Sequence, residues 1–192
     1  MDKCTFPNMT RQEAVLLLNE YIKNQNIFKH LLATEAQMRA LAKKFNQDED
    51  KWALTGLLHD LDWDMTKQDP RQHSIIAEKM LSEKGLEPEI VSAIKIHNYV
   101  HEITPSTLLE KALYCSEMMT GFVVAVALVQ PTKKLADVTV KKIMKKYKEK
   151  SFGAGAKREI MDLCQEYLNI SVQELAGITL NAMQEIASDL GL

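Results

Sequence analysis

Cysteine is scarce: Cys4, Cys115 and Cys164 are the only three in 192 residues. An odd number at wide spacing excludes a disulfide framework and a CxxC metal knuckle, and it suits a reducing cytosol. There is no basic excess. Lys+Arg number 24 against 26 Asp+Glu, a net charge of −2, which argues against a protein that coats nucleic acid. No long apolar run exists. The longest stretch, residues 122–129, is far short of the roughly 20 residues a bilayer span needs, and reads as buried core. The segment Met1-Asp2-Lys3-Cys4-Thr5-Phe6-Pro7 lacks the charged start and apolar run of an export signal. No GxSxG, P-loop or GxGxxG occurs, so neither a serine nucleophile elbow nor a glycine-rich phosphate cradle is predicted. No repeat and no low-complexity linker divides the chain. The apolar fraction of 46% supplies a sizeable core, and the length fits one compact domain.

What is present reads as helices joined by short connections. Thr10-Arg11-Gln12-Glu13 has the form of a capping box, opening a helix to about Asn24. A second runs from about Asn26 to Phe45, with Ile27, Leu31, Met38, Leu41 and Ala42 on one side. Asp48 caps a third that leads into Gly56-Leu57-Leu58-His59-Asp60. Residues 62–71 are polar and read as a loop. A helix over about residues 74–84 stops at Gly85, and Pro88 opens the next, to about Tyr99. Pro105-Ser106 opens a long helix to about Gln130. Residues 137–150 form a basic amphipathic helix, read as a solvated face. After a loop at 151–155, helices cover about 156–167 and, from a second capping box at Ser171–Glu174, the C-terminal region. The β-branched residues of 123–129 would permit a strand, but their helical context wins. Met118, Met119 and Met144 read as fillers of core gaps.

The five histidines all fall between His30 and His101. His30, His59, His73 and His97 come from different predicted helices or helix starts, and His59 is followed directly by Asp60. A single histidine on an apolar helix is usually a packed core residue. An adjacent His-Asp pair closing an apolar helix, with one histidine upstream and two downstream, points instead to a metal site. A mixed imidazole and carboxylate set suits Mn, Fe, Co, Ni or Zn better than Ca. Helix neighbours point about 100° apart, so His59 and Asp60 converge only where the helix ends or where Asp60 bridges. Gly56, one turn earlier, would let another helix approach. His97 and His101 are four apart and could share a face.

At these residues the chain resembles the HD-domain metal-dependent phosphohydrolases. Lys29-His30-Leu31-Leu32-Ala33-Thr34-Glu35-Ala36, Gly56-Leu57-Leu58-His59-Asp60-Leu61-Asp62, Ile96-His97-Asn98 and Thr120-Gly121-Phe122-Val123-Val124-Ala125-Val126-Ala127-Leu128-Val129 are similar to a subgroup of small bacterial HD hydrolases. The resemblance extends over nearly the whole chain, including Lys150-Ser151-Phe152. It implies an all-α fold: a single HD-domain-like helical bundle, residues 1–192, with a core of about 26–130 and additional C-terminal helices over about 131–192. It implies His30, His59 and Asp60 as metal ligands, with Asp60 bridging if two ions bind. The family's closing Asp falls on Glu117, one methylene longer, and this is a departure. His73 and His97 are candidates to complete a two-metal site. Asp60 and His101 are the candidate catalytic groups, His101 as a proton donor, substrate-facing group or neighbour of the ligands.

The function implied is metal-dependent hydrolysis of a small phosphorylated metabolite, nucleotides included, in the cytoplasm, with one or two divalent transition metal ions. The expected partners are that substrate and, at most, a second copy of the chain as a homodimer; no membrane or nucleic-acid partner is expected. Two alternatives remain: a non-catalytic metal- or nucleotide-binding module, motivated by Glu117, and a di-iron oxygenase using all six candidates. Asp62, Asp64 and Asp69 read as loop residues first and ligand-orienting groups second. Lys95 reads as a solvated lysine that could meet a phosphate.

Overall fold

The computed structural model describes residues 9–192, so the expectations placed on Met1–Pro7 and Cys4 lie outside the described residues. Every regular element among the described residues is helical. The helices are α1 (Arg11–Tyr21), α2 (Gln25–Phe45), α3 (Glu49–Leu58), α4 (Trp63–Thr66), α5 (Ile75–Glu83), α6 (Pro88–Ile96), α7 (Leu108–Leu128), α8 (Val140–Tyr147), α9 (Arg158–Met161), α10 (Cys164–Leu168), α11 (Val172–Glu185) and α12 (Ala187–Leu190). Residues 123–128, where a strand was conceivable, lie within α7.

Most helix starts follow their caps. Thr10 and Glu13 form the reciprocal box at α1, and Asp48 takes the Asp50 and Lys51 amides at α3. Ser171 takes the Glu174 amide at α11, while the Glu174 carboxylate turns 2.5 Å to Lys44 on α2. Other ends lie away from where the sequence put them. The long helix begins at Leu108, not after Pro105, because the Glu110 carboxylate gathers the Ser106 and Thr107 amides and the Ser92 hydroxyl. Helix α6 stops at Ile96, not Tyr99. The Asn98 side chain accepts from the Val100 amide and donates to the carbonyls of Pro70 and His73, an alternative to continuing the helix. Helix α8 stops at Tyr147, not Lys150, where the Arg158 guanidinium reaches the Tyr147 and Glu149 carbonyls. The single helix expected over 156–167 is divided into α9 and α10 at Asp162, whose carboxylate accepts from the Tyr147 hydroxyl at 2.8 Å.

Two apolar clusters fill the interior. One joins α1, α3, α5 and α6 through Leu18, Leu57, Leu81 and Ile94. The other wraps α7 with α2 and the C-terminal helices through Met38, Leu113, Phe122, Ile143 and Leu175. By length and composition alone α7 could cross a membrane, but here it packs against α2, α6, α10 and α11. Met119 is fully buried in its cluster, and Met118 and Met144 pack against it. Cys115 and Cys164 are free and buried, and burial pushes the Cys115 thiol far up, out of reach of thiolate chemistry.

Helices α2 and α3 lie in close contact because Gly56 has no side chain: a Cβ there would stand 2.6 Å from the Thr34 carbonyl oxygen. Gly56→Ala is therefore expected to push two backbones apart and cost about 2–3 kcal/mol. For a chain of this size that is a fall in Tm of roughly 5–10 °C, read by thermal denaturation. An unchanged Tm would contradict the contact.

Candidate metal centre

The candidate ligands come from five segments that meet between the two apolar clusters. His30 lies on α2 next to buried Leu31, and Glu117 lies on α7 between buried Cys115 and Met119. His59 caps the end of α3 and Asp60 follows in the turn, so the pair converges because the helix stops there. His73 precedes α5, at a bend where Ser74 takes a left-handed backbone (φ 69°). His97 caps the end of α6.

All four rings face the Asp60 carboxylate. Its Oδ1 lies 3.4 Å from His59 Nε2, 3.2 Å from His73 Nε2 and 3.3 Å from His97 Nε2. Its Oδ2 lies 3.7 Å from His30 Nε2. Two groups of three donors result, His30–His59–Asp60 and Asp60–His73–His97, each with its donor atoms within 4.8 Å of one another and Asp60 in both. Glu117 Oε2 is 3.6 Å from His30 Nε2, on the side of the first group.

The outer nitrogens are equally ordered. His59 Nδ1 lies 2.8 Å from the Gly56 carbonyl, His97 Nδ1 2.5 Å from the Ile94 carbonyl and His73 Nδ1 2.8 Å from Asp62 Oδ1. His30 Nδ1 lies 3.0 Å from the Thr120 hydroxyl, which itself donates to the Glu117 carbonyl. Each of these partners can only accept from the ring, so each Nδ1 carries the hydrogen when the ring is neutral. That leaves every Nε2 with a bare lone pair directed inward, the arrangement of metal-ligating histidines. His30 Nε2 and His59 Nε2 then stand 3.1 Å apart, two acceptors with no hydrogen between them. A divalent cation satisfies both, and the nitrogen and oxygen donor set fits a transition metal. The fold therefore carries a His/Asp cluster able to hold a divalent metal.

Electrostatics agree. Burial pulls the imidazoles of His30 and His59 down, His59 to about 3, so both are neutral ligands at physiological pH. Burial works against charge on Asp60, but the surrounding histidines outweigh it and hold its pKa well below the usual carboxylate range. Burial and the Asp60 charge raise Glu117 to about 8. For His73 burial opposes charge, yet the hydrogen bonds to Asp60 and Asp62 push it up to about 10. In the metal-free protein at pH 7, His73 and Glu117 thus carry protons that a metal must displace. Metal uptake at pH 7 is expected to release protons, and apparent affinity to rise as pH rises towards those values. Titration calorimetry in two buffers of different ionisation heat reads this; identical apparent enthalpies would contradict it.

The acids and the lysine read around the site, and His101, divide by what they touch. Asp62, read first as a loop acid, is fully buried and accepts from His73 Nδ1 and, at 3.0 Å, from the Ala77 amide. Asp64 instead caps the α1–α2 connection by taking the Lys23 and Asn24 amides, and Asp69 accepts from the Arg71 amide in its own turn. His101 does not share a helical face with His97. It sits in a 3-10 turn with its Nε2 2.8 Å from the His73 carbonyl and 3.0 Å from the Ser74 hydroxyl. Lys95 pairs with Glu78 at 2.9 Å. The roles of Thr120 and Asn98 were not read from the sequence; only their spacing from Glu117 and His97, one turn or one residue, hinted at them.

A cavity of about 390 Å3 opens onto Asp60, His30, His73, His97 and Glu117. Lys67 is the one lysine or arginine among the described residues lining it. The family model of the HD domain matches residues 27–168, and the chain belongs to the HD-domain family, whose fold is that of metal-dependent hydrolases. No curated protein and no solved structure matched the chain.

Proposed function

We propose that the chain is a metal-dependent phosphohydrolase acting on a small phosphorylated metabolite, nucleotides among the candidates, in a reducing cytoplasm. One observation carries the reading: four Nε2 lone pairs, each fixed from behind, converge on one shared carboxylate at the floor of a cavity. Bound ions supply Lewis acidity and a water whose pKa is brought towards neutrality. In this reading His30 and His59 would hold one ion and His73 and His97 a second, with Asp60 available to either. Glu117 closes the His30 side in the place of the family's Asp. Asp62 and Thr120 hold ring orientation, and His101 braces the His73–Ser74 bend rather than donating a proton. Lys67 meets a phosphate oxygen, and the enclosing walls limit competing water.

The test is phosphate release from phenyl phosphate and nucleoside monophosphates by protein loaded with Mn, Co or Ni. The expected result is hydrolysis lost on chelation and restored by the metal. Protein that binds ions yet releases no phosphate from any of a broad ester panel would overturn the reading.

A second reading has support of its own. All six candidate donors cluster, as a di-iron oxygenase requires. Iron-loaded protein that consumes dioxygen and releases no phosphate would favour it. The non-catalytic reading rested on Glu117 leaving the site incomplete, and its carboxylate 3.6 Å from His30 weighs against that.

A further inference from the structure

The segment after α8 carries two glycines with different explanations. Gly153 has φ 56°, a backbone that side chains rarely adopt, and a Cβ there would press the Phe122 ring at 3.1 Å. Both facts require glycine. Gly155 has neither reason. Its backbone lies outside the left-handed region, and a Cβ there would meet no atom within 4 Å. Yet Gly155 lines the cavity above the cluster, beside Glu117 and Met118. The missing side chain therefore keeps space open at the mouth and does nothing for the fold.

The wall around that gap is rigid. The Arg158 guanidinium lies 4.6 Å over the Phe122 ring and donates to the carbonyls of Gly153 and Ala156 at 2.8 Å, and to that of Phe152. Phe152 packs edge-on to Phe122 at 5.5 Å. Phe122 is on α7, the helix that carries Glu117, so the loop and the ligand share one frame. Tyr99 and Val100, both partly exposed and uncharged, line the same cavity. Lys67 is the one lysine or arginine among the described residues lining the cavity, so no further permanent cation stands there for a second or third phosphate.

We propose that Gly155 is the specificity-determining position of the cavity, its empty space receiving a bulky, uncharged leaving group of a phosphate monoester. This rests on the phosphohydrolase reading and names its substrate class: monoesters with a large organic group, in preference to polyphosphates. The leaving group lies between the Gly155 backbone and the Tyr99–Val100 rim, with the phosphate on the side of the ligands.

The experiment compares wild type, Gly155→Ala and Gly155→Leu as full-length, Mn-loaded proteins. Melting temperature and bound Mn should match wild type in all three. For Gly155→Leu, kcat/KM on adenosine monophosphate should fall about 10–100-fold, the scale of a steric mismatch in a shaped pocket, with Gly155→Ala intermediate. On phenyl phosphate the fall should be several times smaller. Equal losses on both esters, or none on either, would overturn the proposal. Calorimetric binding separates it from the reaction itself. A Kd for adenosine monophosphate that rises in Gly155→Leu while that for inorganic phosphate holds supports the berth, even where wild type turns over neither ester; that last result would overturn the hydrolase reading alone. Adenosine triphosphate binding more tightly than the monophosphate would overturn the preference for monoesters.

Discussion

Asp60→Asn is expected to empty the metal centre and to lower phosphoester hydrolysis by roughly a thousandfold or more, about 4 kcal/mol of barrier. Asp60 lies within reach of all four rings, at 3.2–3.7 Å from their Nε2 atoms. Asn keeps the size but offers one neutral oxygen, and it turns an N–H pair towards lone pairs on one side. No orientation serves both donor groups. The fold should survive, because the substitution preserves volume at a position whose neighbours are side chains of the site. Elemental analysis and kcat together read the outcome. A variant that retains its metal and its rate would show that Asp60 is not the shared ligand.

The second large effect belongs to a residue that no substrate touches. Asp62→Asn should weaken metal affinity about 10–100-fold, the usual scale for losing the partner that fixes a ligating histidine. The buried carboxylate holds His73 through one oxygen and the Ala77 amide through the other. An amide can serve one of those donors and repels the second. Asp62→Ala leaves both buried N–H groups without a partner and should in addition cost about 2–4 kcal/mol of stability. Asp64→Asn is the contrasting variant. Asp64 takes two backbone amides of the α1–α2 connection and no hydrogen bond to any of the rings, so Asp64→Asn should lower Tm slightly and leave affinity alone. Equal effects of Asp62→Asn and Asp64→Asn on affinity would contradict the assignment.

These contrasts show what the sequence could and could not reveal. His59, Asp60, His73 and His97 stood out as imidazole and carboxylate side chains at element ends, where they have few structural uses in that pattern, while His30 and Glu117, within α2 and α7, were placed by the family resemblance. Asp62, Asp64 and Asp69 are chemically alike and lie in one stretch, and only the turn after α3 and the short α4 decide which of them reaches His73. His101 was misleading because its spacing from His97 assumes a helix that Asn98 ends. Helix starts followed local caps and were readable to within a few residues. Helix ends were set by distant partners, Arg158 for α8 and, through Asn98, the Pro70 and His73 carbonyls for α6, and local sequence does not encode those distances. Gly155 carries no signal in one sequence, since its meaning lies in the space around it.

The account stands on cations held between these side chains. The direct measurement is anomalous scattering from Mn-loaded crystals. The account requires two peaks, one among His30, His59 and Asp60 with Glu117 beside it, the other among Asp60, His73 and His97. Peaks elsewhere, or no peak within bonding distance of these nitrogens in Mn-saturated protein, would contradict it.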